Sequence, residues 1–133
     1  MTGQTIAEAQ GAVRALLDRT LAGSGLTSNE YVALRVADAR RVGDLAGFLA
    51  GQRQLGLDPA GATELVEGLH KRGLLCEGSI TPAGMALFAE VNARVNATTA
   101  RLYDAMDEDD LATTQRVLTD VIARAEEISR AGS

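Results

Sequence analysis

The chain has 133 residues, 46 % of them hydrophobic, with a net charge of −5 at neutral pH, no Trp, two Pro, one Cys and one His. That length carries one domain with a real core, spanning 1–133, and that hydrophobic share excludes a disordered chain. One Cys excludes an internal disulfide and suits a reducing compartment, and the acidic balance means that nucleic acid can be held only by a local basic patch.

The N-terminus, Met-Thr-Gly-Gln-Thr, has neither a basic segment nor an apolar one of signal-peptide type, and no apolar run approaches a membrane span. The expectation is a cytoplasmic protein with no membrane partner. Many Ala and Leu and few Pro favour helices.

The first helix is predicted over roughly 5–22, with Ile6, Val13, Leu16, Leu17 and Leu21 at helical spacing, and Gly23-Ser24-Gly25 ends it. "LTSNEY" opens the second with a capping box: Thr27 caps, Glu30 reaches back, and Leu26 staples onto Tyr31. This helix runs to about Ala39. Gly43-Asp44 opens the third, with Leu45, Phe48 and Leu49 inward, and Gly56 breaks it. In "LDPAGATELVEGLHKRG", Asp58 caps the fourth helix, Pro59 takes its first position and Gly73 closes it. Its buried face is Ala62, Leu65, Val66 and Leu69. Residues 74–76 and 79–81 make two tiny strands joined at Glu77-Gly78.

Thr81-Pro82 starts the fifth helix, whose apolar stripe is Met85, Phe88, Val91, Val95, Leu102 and Met106. Asp107 and Asp110 restart the chain as a sixth, with Leu111, Leu118, Val121, Ile122 and Ala125 in register. A fifth helix of about 25 residues is roughly 37 Å long. The short helices of one chain do not cover such a stripe. The segments 5–22 and 82–131 are therefore expected to pair two copies about a two-fold axis.

The order of "LTSNEYVALRVA", "DLAGFLA", "LDPAGATELVEGLHKRGLL" and "ITPAGMALF" resembles the MarR family of bacterial transcription regulators, over most of the chain. The resemblance implies an all-α winged helix-turn-helix with a minimal two-stranded wing. The helix-turn-helix and wing would occupy about 42–81, and the N- and C-terminal helices would form a homodimer. It implies double-stranded DNA as partner and a small-molecule effector. Matching the family's recognition helix are Ala60, Gly61, Thr63 and Glu64. With them, the polar residues available to DNA near the helix-turn-helix are Gln52, Arg53, Gln54, Lys71, Arg72 and the Arg40-Arg41 pair. Family relatives hold ligands between the DNA-binding lobe and the dimer helices, where Tyr31, Arg35 and Tyr103 would stand; Phe48, beside them, reads first as core.

The chain departs from the family pattern. Ala60 and Gly61 bring no polar group, Glu64 repels phosphate, and residues 76–79 hold no Arg. "GQRQLG" reads as an extension of the third helix. Between 40 and 80, Arg40, Arg41, Arg53, Lys71 and Arg72 are balanced by Asp44, Asp58, Glu64, Glu67 and Glu77. A DNA-reading lobe is normally positive. The alternative is a degenerate relative that no longer binds DNA and serves as a protein-interaction or ligand-binding antirepressor module.

The remaining features read blandly. Cys76 is either a redox sensor near His70 and Lys71 or, more simply, a small buried hydrophobe on a strand. His70 reads as a partly exposed residue near a helix end. "DEDD" at 107–110 serves capping and the helix dipole, Asn96-Ala97-Thr98 is a sequon inside a helix, and Gly23-Ser24-Gly25 lacks the rest of a phosphate loop. One Cys and one His assemble no nucleophile and base, so no enzyme, metal or cofactor is expected.

Overall fold

The starts of the five helices after the first are set by side chains that accept backbone N–H groups. The computed structural model describes residues 2–40 and 43–132. Its elements are α1 (Gly3–Leu21), α2 (Ser28–Ala39), α3 (Leu45–Ala50), a 3-10 turn (Arg53–Leu55), α4 (Pro59–Lys71), β1 (Leu75–Cys76), β2 (Ser79–Ile80), α5 (Pro82–Tyr103) and α6 (Glu108–Ala131). Thr27 accepts from Glu30 N, Asp44 from Gly47 N, Asp58 from Gly61 N, Thr81 from Gly84 N, and Asp107 from Asp109 and Asp110 N. The Glu30 carboxylate returns to the Thr27 N–H at 2.9 Å, which completes the capping box. At the other end of α4, Gly73 N donates to the His70 carbonyl and Leu74 N to the Leu69 carbonyl, a Schellman close that needs Gly73 at φ +75.

The chain falls into two compact units, Met1–Thr98 and Thr99–Ser133, and α5 contributes to both. In the first unit α2, α3, α4, the wing and the start of α5 surround a core in which Tyr31, Leu34, Leu49, Leu69 and Val91 are fully buried. The Tyr31 ring stacks on Phe88, centroids 5.6 Å apart, and its hydroxyl donates to Asn92 Oδ1 at 2.6 Å. Burial holds the Tyr31 phenol above its ordinary pKa of 10, more strongly than the Arg35 guanidinium pulls it down. The folded state thus keeps this proton more tightly than the unfolded chain. That contribution is full below the unfolded value and is lost as pH rises through the raised one. Tyr31→Phe is expected to cost roughly 1 kcal/mol near neutrality, since Asn92 loses its donor. It should also flatten the fall in stability as pH rises above about 10. Urea melts of both proteins from neutrality to above pH 10 check this.

The two strands pair antiparallel, Leu75 with Ile80 and Cys76 with Ser79, through a two-residue turn. Glu77 and Gly78 both have positive φ, +51 and +79, as a type I′ hairpin turn requires. The N-terminal half of α1 is almost wholly solvent-facing, and Val13 is exposed. In the second unit no residue of α6 is buried; Leu111 and Leu118 are half-buried, while Val117, Val121, Ile122 and Ile128 are exposed. No described helix is long and apolar enough to cross a membrane.

Several sequence expectations are corrected. The third helix is not extended. It stops at Ala50, and Gln52–Gly56 forms a separate tight turn in which Gly56 is left-handed. Phe48 is half-buried rather than inward, with the Arg40 guanidinium 5.4 Å above its ring. Met106, expected on the stripe of α5, lies beyond the end of that helix. Cys76 is exposed, because in so short a strand the core side of the pair is taken by Leu75. Arg41, and Val42 at the expected start of the reading region, lie outside the described residues.

Candidate nucleic-acid interface

α3 and α4 pack together around the turn at 52–56, and this packing presents one side of α4 to solvent. Ala62 and Leu69 are buried, and Leu65 and Val66 half-buried, so the outward side carries Ala60, Thr63, Glu64, Glu67, His70 and Lys71. Gly61 is half-buried and its N–H is committed to Asp58. A Cβ there would come within 2.9 Å of the capping carboxylate oxygen, so this position serves the cap. Thr63 is the one exposed hydroxyl on the first half of α4, and two carboxylates follow it.

The turn before α4 holds Gln52, Arg53 and Gln54. Arg53 and Gln54 are exposed, Gln52 is half-buried, and Gln54 Nε2 donates to Gln52 Oε1 at 3.2 Å. Asn29 on α2 fixes this turn from behind. Its Nδ2 donates to the Leu55 carbonyl at 3.2 Å, and its Oδ1 accepts from Arg14 of α1 at 3.0 Å. Sequence reading missed Asn29 and Arg14, because nothing local marks a contact across 15 or 26 residues.

The cations divide into two groups. Arg72 is paired with Glu30 at 3.2 Å, holding the end of α4 to the start of α2. Arg53 and Lys71 make no ion pair among the described residues. His70, exposed as expected, reaches the wing instead: its Nε2 accepts from Gly78 N at 3.4 Å.

Of the residues expected around a ligand, two lie in the first unit and one in the second. Tyr31 is core, and Arg35 lies over its ring at 5.7 Å. Tyr103, at the end of α5, belongs to the second unit and is exposed. A cleft of about 310 Å³ runs along α2 and is lined by Val32, Arg35, Val36, Arg40, Phe48 and Gln54, among others. Among the described residues, no group of three or more His, Cys, Asp or Glu side chains is arranged to hold a metal ion.

A family model described as a helix-turn-helix family matches residues 18–130. The chain belongs to that family. Its fold is the MarR-type winged helix-turn-helix. A transcriptional regulator named PA3341 is 26 % identical, with a TM-score of 0.80 over 94 % of this chain and 98 % of that one. A MarR-family regulator from Rhodococcus sp. RHA1 is also 26 % identical, with a TM-score of 0.77 over 90 % and 89 %. The MarR-family protein Rv2887 of Mycobacterium tuberculosis, solved in complex with DNA, is 23 % identical, with a TM-score of 0.70 over 91 % and 98 %. That last likeness is one of fold. No curated protein matches the chain by sequence. The first two of these neighbours are transcription regulators. The exposed Glu64 and Glu67 make the outward side of α4 acidic there, whereas a DNA-reading lobe is normally positive.

Proposed function

We propose that this protein is a homodimeric, DNA-binding MarR-type transcription regulator that responds to a small molecule. The whole chain works as one such domain: about 42–81 meets DNA, and the helices over about 5–22 and 82–131 pair two copies. The observation that carries this reading is the family match over 18–130 together with a formed α3–turn–α4 unit whose outer side is free of core contacts. Rv2887 supports the DNA partner, being solved with DNA, and it is also solved with salicylic acid.

Within this reading Arg53 and Lys71 supply the phosphate contacts, joined by Arg40, while Arg72 is held by Glu30. Thr63 and Gln54 are the side chains available to base edges, and Ala60 allows close approach. Few cations per lobe mean low affinity and, at roughly 0.9 per phosphate contact, a shallow log–log salt slope. Glu64→Arg is expected to raise affinity for any duplex by replacing repulsion with attraction, about tenfold or more across the two lobes at low salt. Arg53→Gln should lower it by a similar factor for all sequences alike. Anisotropy titrations with genomic fragments at low and physiological salt check both. Tight, sequence-selective binding that survives loss of Arg53 would overturn this assignment of contacts.

The exposed Glu64 and Glu67 favour a second reading, a relative that has left DNA and serves as a protein-interaction or ligand-binding antirepressor module. Absence of any duplex binding at low salt would establish it over the first.

A further inference from the structure

Three consecutive residues at the start of α2 each hold a different part of the lobe. The buried Ser28 donates to Asp18 of α1, and Glu30 closes the cap and pairs with Arg72. Asn29, between them, is bonded at both ends of its amide. Arg14 Nη2 donates to Asn29 Oδ1 at 3.0 Å, and Asn29 Nδ2 donates to the Leu55 carbonyl at 3.2 Å. A guanidinium carries donors only, so it takes the oxygen end of the amide and leaves the nitrogen for the Leu55 carbonyl. Arg14 is itself held, its Nε lying 3.7 Å from Asp18 Oδ1 one helical turn along α1. A chain of polar contacts, Ser28–Asp18–Arg14–Asn29–Leu55, thus runs from α1 across the start of α2 to the turn at 52–56.

That turn has little else to place it. Among the described residues its other hydrogen bonds join Gln52 N to Leu49 O, Leu55 N to Gln52 O, Gly56 N to Arg53 O, and Gln54 to Gln52. All are local, so they shape the turn without setting it against the rest of the lobe. The buried Leu55 side chain and the Asn29 bond do that. An apolar anchor fixes position but not the direction of a peptide; a hydrogen bond, which weakens steeply off line, fixes both. The Arg53 carbonyl accepts from Gly56 N at 3.2 Å, so the Arg53 backbone moves with Leu55.

We propose that Asn29, oriented by Arg14, is a positioning residue for DNA binding, holding the 52–56 turn so that Arg53 meets phosphate. The proposal rests on the DNA-binding reading above and adds to it a residue that acts through the turn. An arginine on a loose turn loses backbone freedom as well as rotamers when it binds, and fixing the turn beforehand removes the first loss. Because Arg14 stands on α1, the same chain of contacts ties the DNA-facing turn to a helix assigned to pairing two copies.

The test titrates the full chain with a mixed-sequence duplex by anisotropy over a range of salt. Asn29→Ala should lower affinity roughly tenfold across the two lobes and make the log–log salt slope shallower by roughly 0.9 per lobe, as Arg53→Gln does. Adding Arg53→Gln to Asn29→Ala should then change neither quantity further. A merely structural role would lower the folded fraction and leave the slope where it was. Arg14→Met, which frees the amide to turn over, should show a smaller loss in the same direction. Amide exchange followed by NMR reads the turn without DNA. In Asn29→Ala the Leu55 and Gly56 N–H groups should exchange roughly fivefold faster, with the interior of α4 unchanged. If Asn29→Ala melts early, Asn29→Asp decides by the same exchange: it keeps the acceptor for Arg14, an acid suits the first turn of α2, and only the donor to Leu55 is lost. Beside a parent that binds DNA, an unchanged slope, multiplied losses in the double variant or unchanged exchange at Leu55 and Gly56 overturns the role of Asn29 and leaves the DNA-binding reading standing. No duplex binding by the parent at low salt removes that reading, and the DNA role of Asn29 with it.

Discussion

Gly84→Ala is expected to unseat the wing. Gly84 is buried in the first turn of α5, where its N–H donates to Thr81 Oγ1 at 3.0 Å. A Cβ built there falls inside the contact radius of the Leu74 carbonyl oxygen, 2.9 Å from Ile80 Cγ1 and 3.1 Å from the Leu74 carbonyl carbon. Two of these three atoms are backbone. The carbonyl cannot swing aside, because it accepts the Thr81 N–H at 3.0 Å and so ties the end of α4 to the start of α5. One methyl group must therefore break either the cap of α5 or the entry to the wing. Overpacking against fixed backbone costs roughly 3 kcal/mol or more, a large part of the 5–15 kcal/mol that stabilises a typical domain. The midpoint of thermal unfolding should fall by on the order of 10 °C. Gly68→Ala is the control. Its Cβ meets nothing within 4 Å in the interior of α4, so it should be neutral or stabilising by up to about 1 kcal/mol. Circular dichroism melts of the two variants settle the matter; a Gly84→Ala protein as stable as the parent would mean that α4, wing and α5 are not locked in this way.

Ile122→Asp is expected to turn a dimer into monomers. In the single chain Ile122 is 60 % exposed and Ile128 63 %. If the protein works as a lone chain, a charge at such a position costs no more than about 0.5 kcal/mol. If two copies bury this side of α6, the same aspartate is an unpaired charge in an apolar contact, at a cost of several kcal/mol. The proposed dimer takes the second alternative, and α6 itself favours it. It is 24 residues long with no buried residue and only Leu111 and Leu118 half-buried, whereas most helical stability in proteins comes from tertiary packing of an apolar face. Sedimentation equilibrium should show the parent as a dimer and Ile122→Asp as a monomer, with helix content falling in the variant. A folded monomer of the unaltered chain would remove the dimer from the proposed function.

What could be read from the sequence was what neighbouring residues decide. Thr27, Asp44, Asp58, Thr81 and Asp107 each cap a helix as their spacing to the following residues required, and Glu77-Gly78 makes the two-residue turn. What could not be read depends on partners far along the chain. Arg72 looked available to phosphate, but Glu30 lies 42 positions away and claims it. Phe48 has the right hydrophobicity for a core, yet Arg40 covers it from the end of α2, which no periodicity signals. Met106 fitted the stripe of α5 by type, but the helix ends at Tyr103. Cys76 followed the alternation of a strand, and in a two-residue strand that alternation is decided by register alone. The third helix was misjudged because Gly51 and Gly56 bracket a segment too short to have a period of its own.

The Glu30 carboxylate has both oxygens engaged. One accepts the Thr27 N–H at 2.9 Å and closes the capping box of α2; the other accepts from Arg72 at 3.2 Å and anchors the end of α4. A lineage adapting this scaffold toward firmer DNA attachment could not recruit Arg72 by changing residue 30 alone, since the same step would strip the start of α2 of its reciprocal cap. The easier mutational route runs through Glu64 or Glu67, whose side chains are exposed and make no ion pair among the described residues. Positions 30 and 72 are thus epistatic and slow to diverge, whereas the outer row of α4 is where descendants of this protein would be expected to differ first.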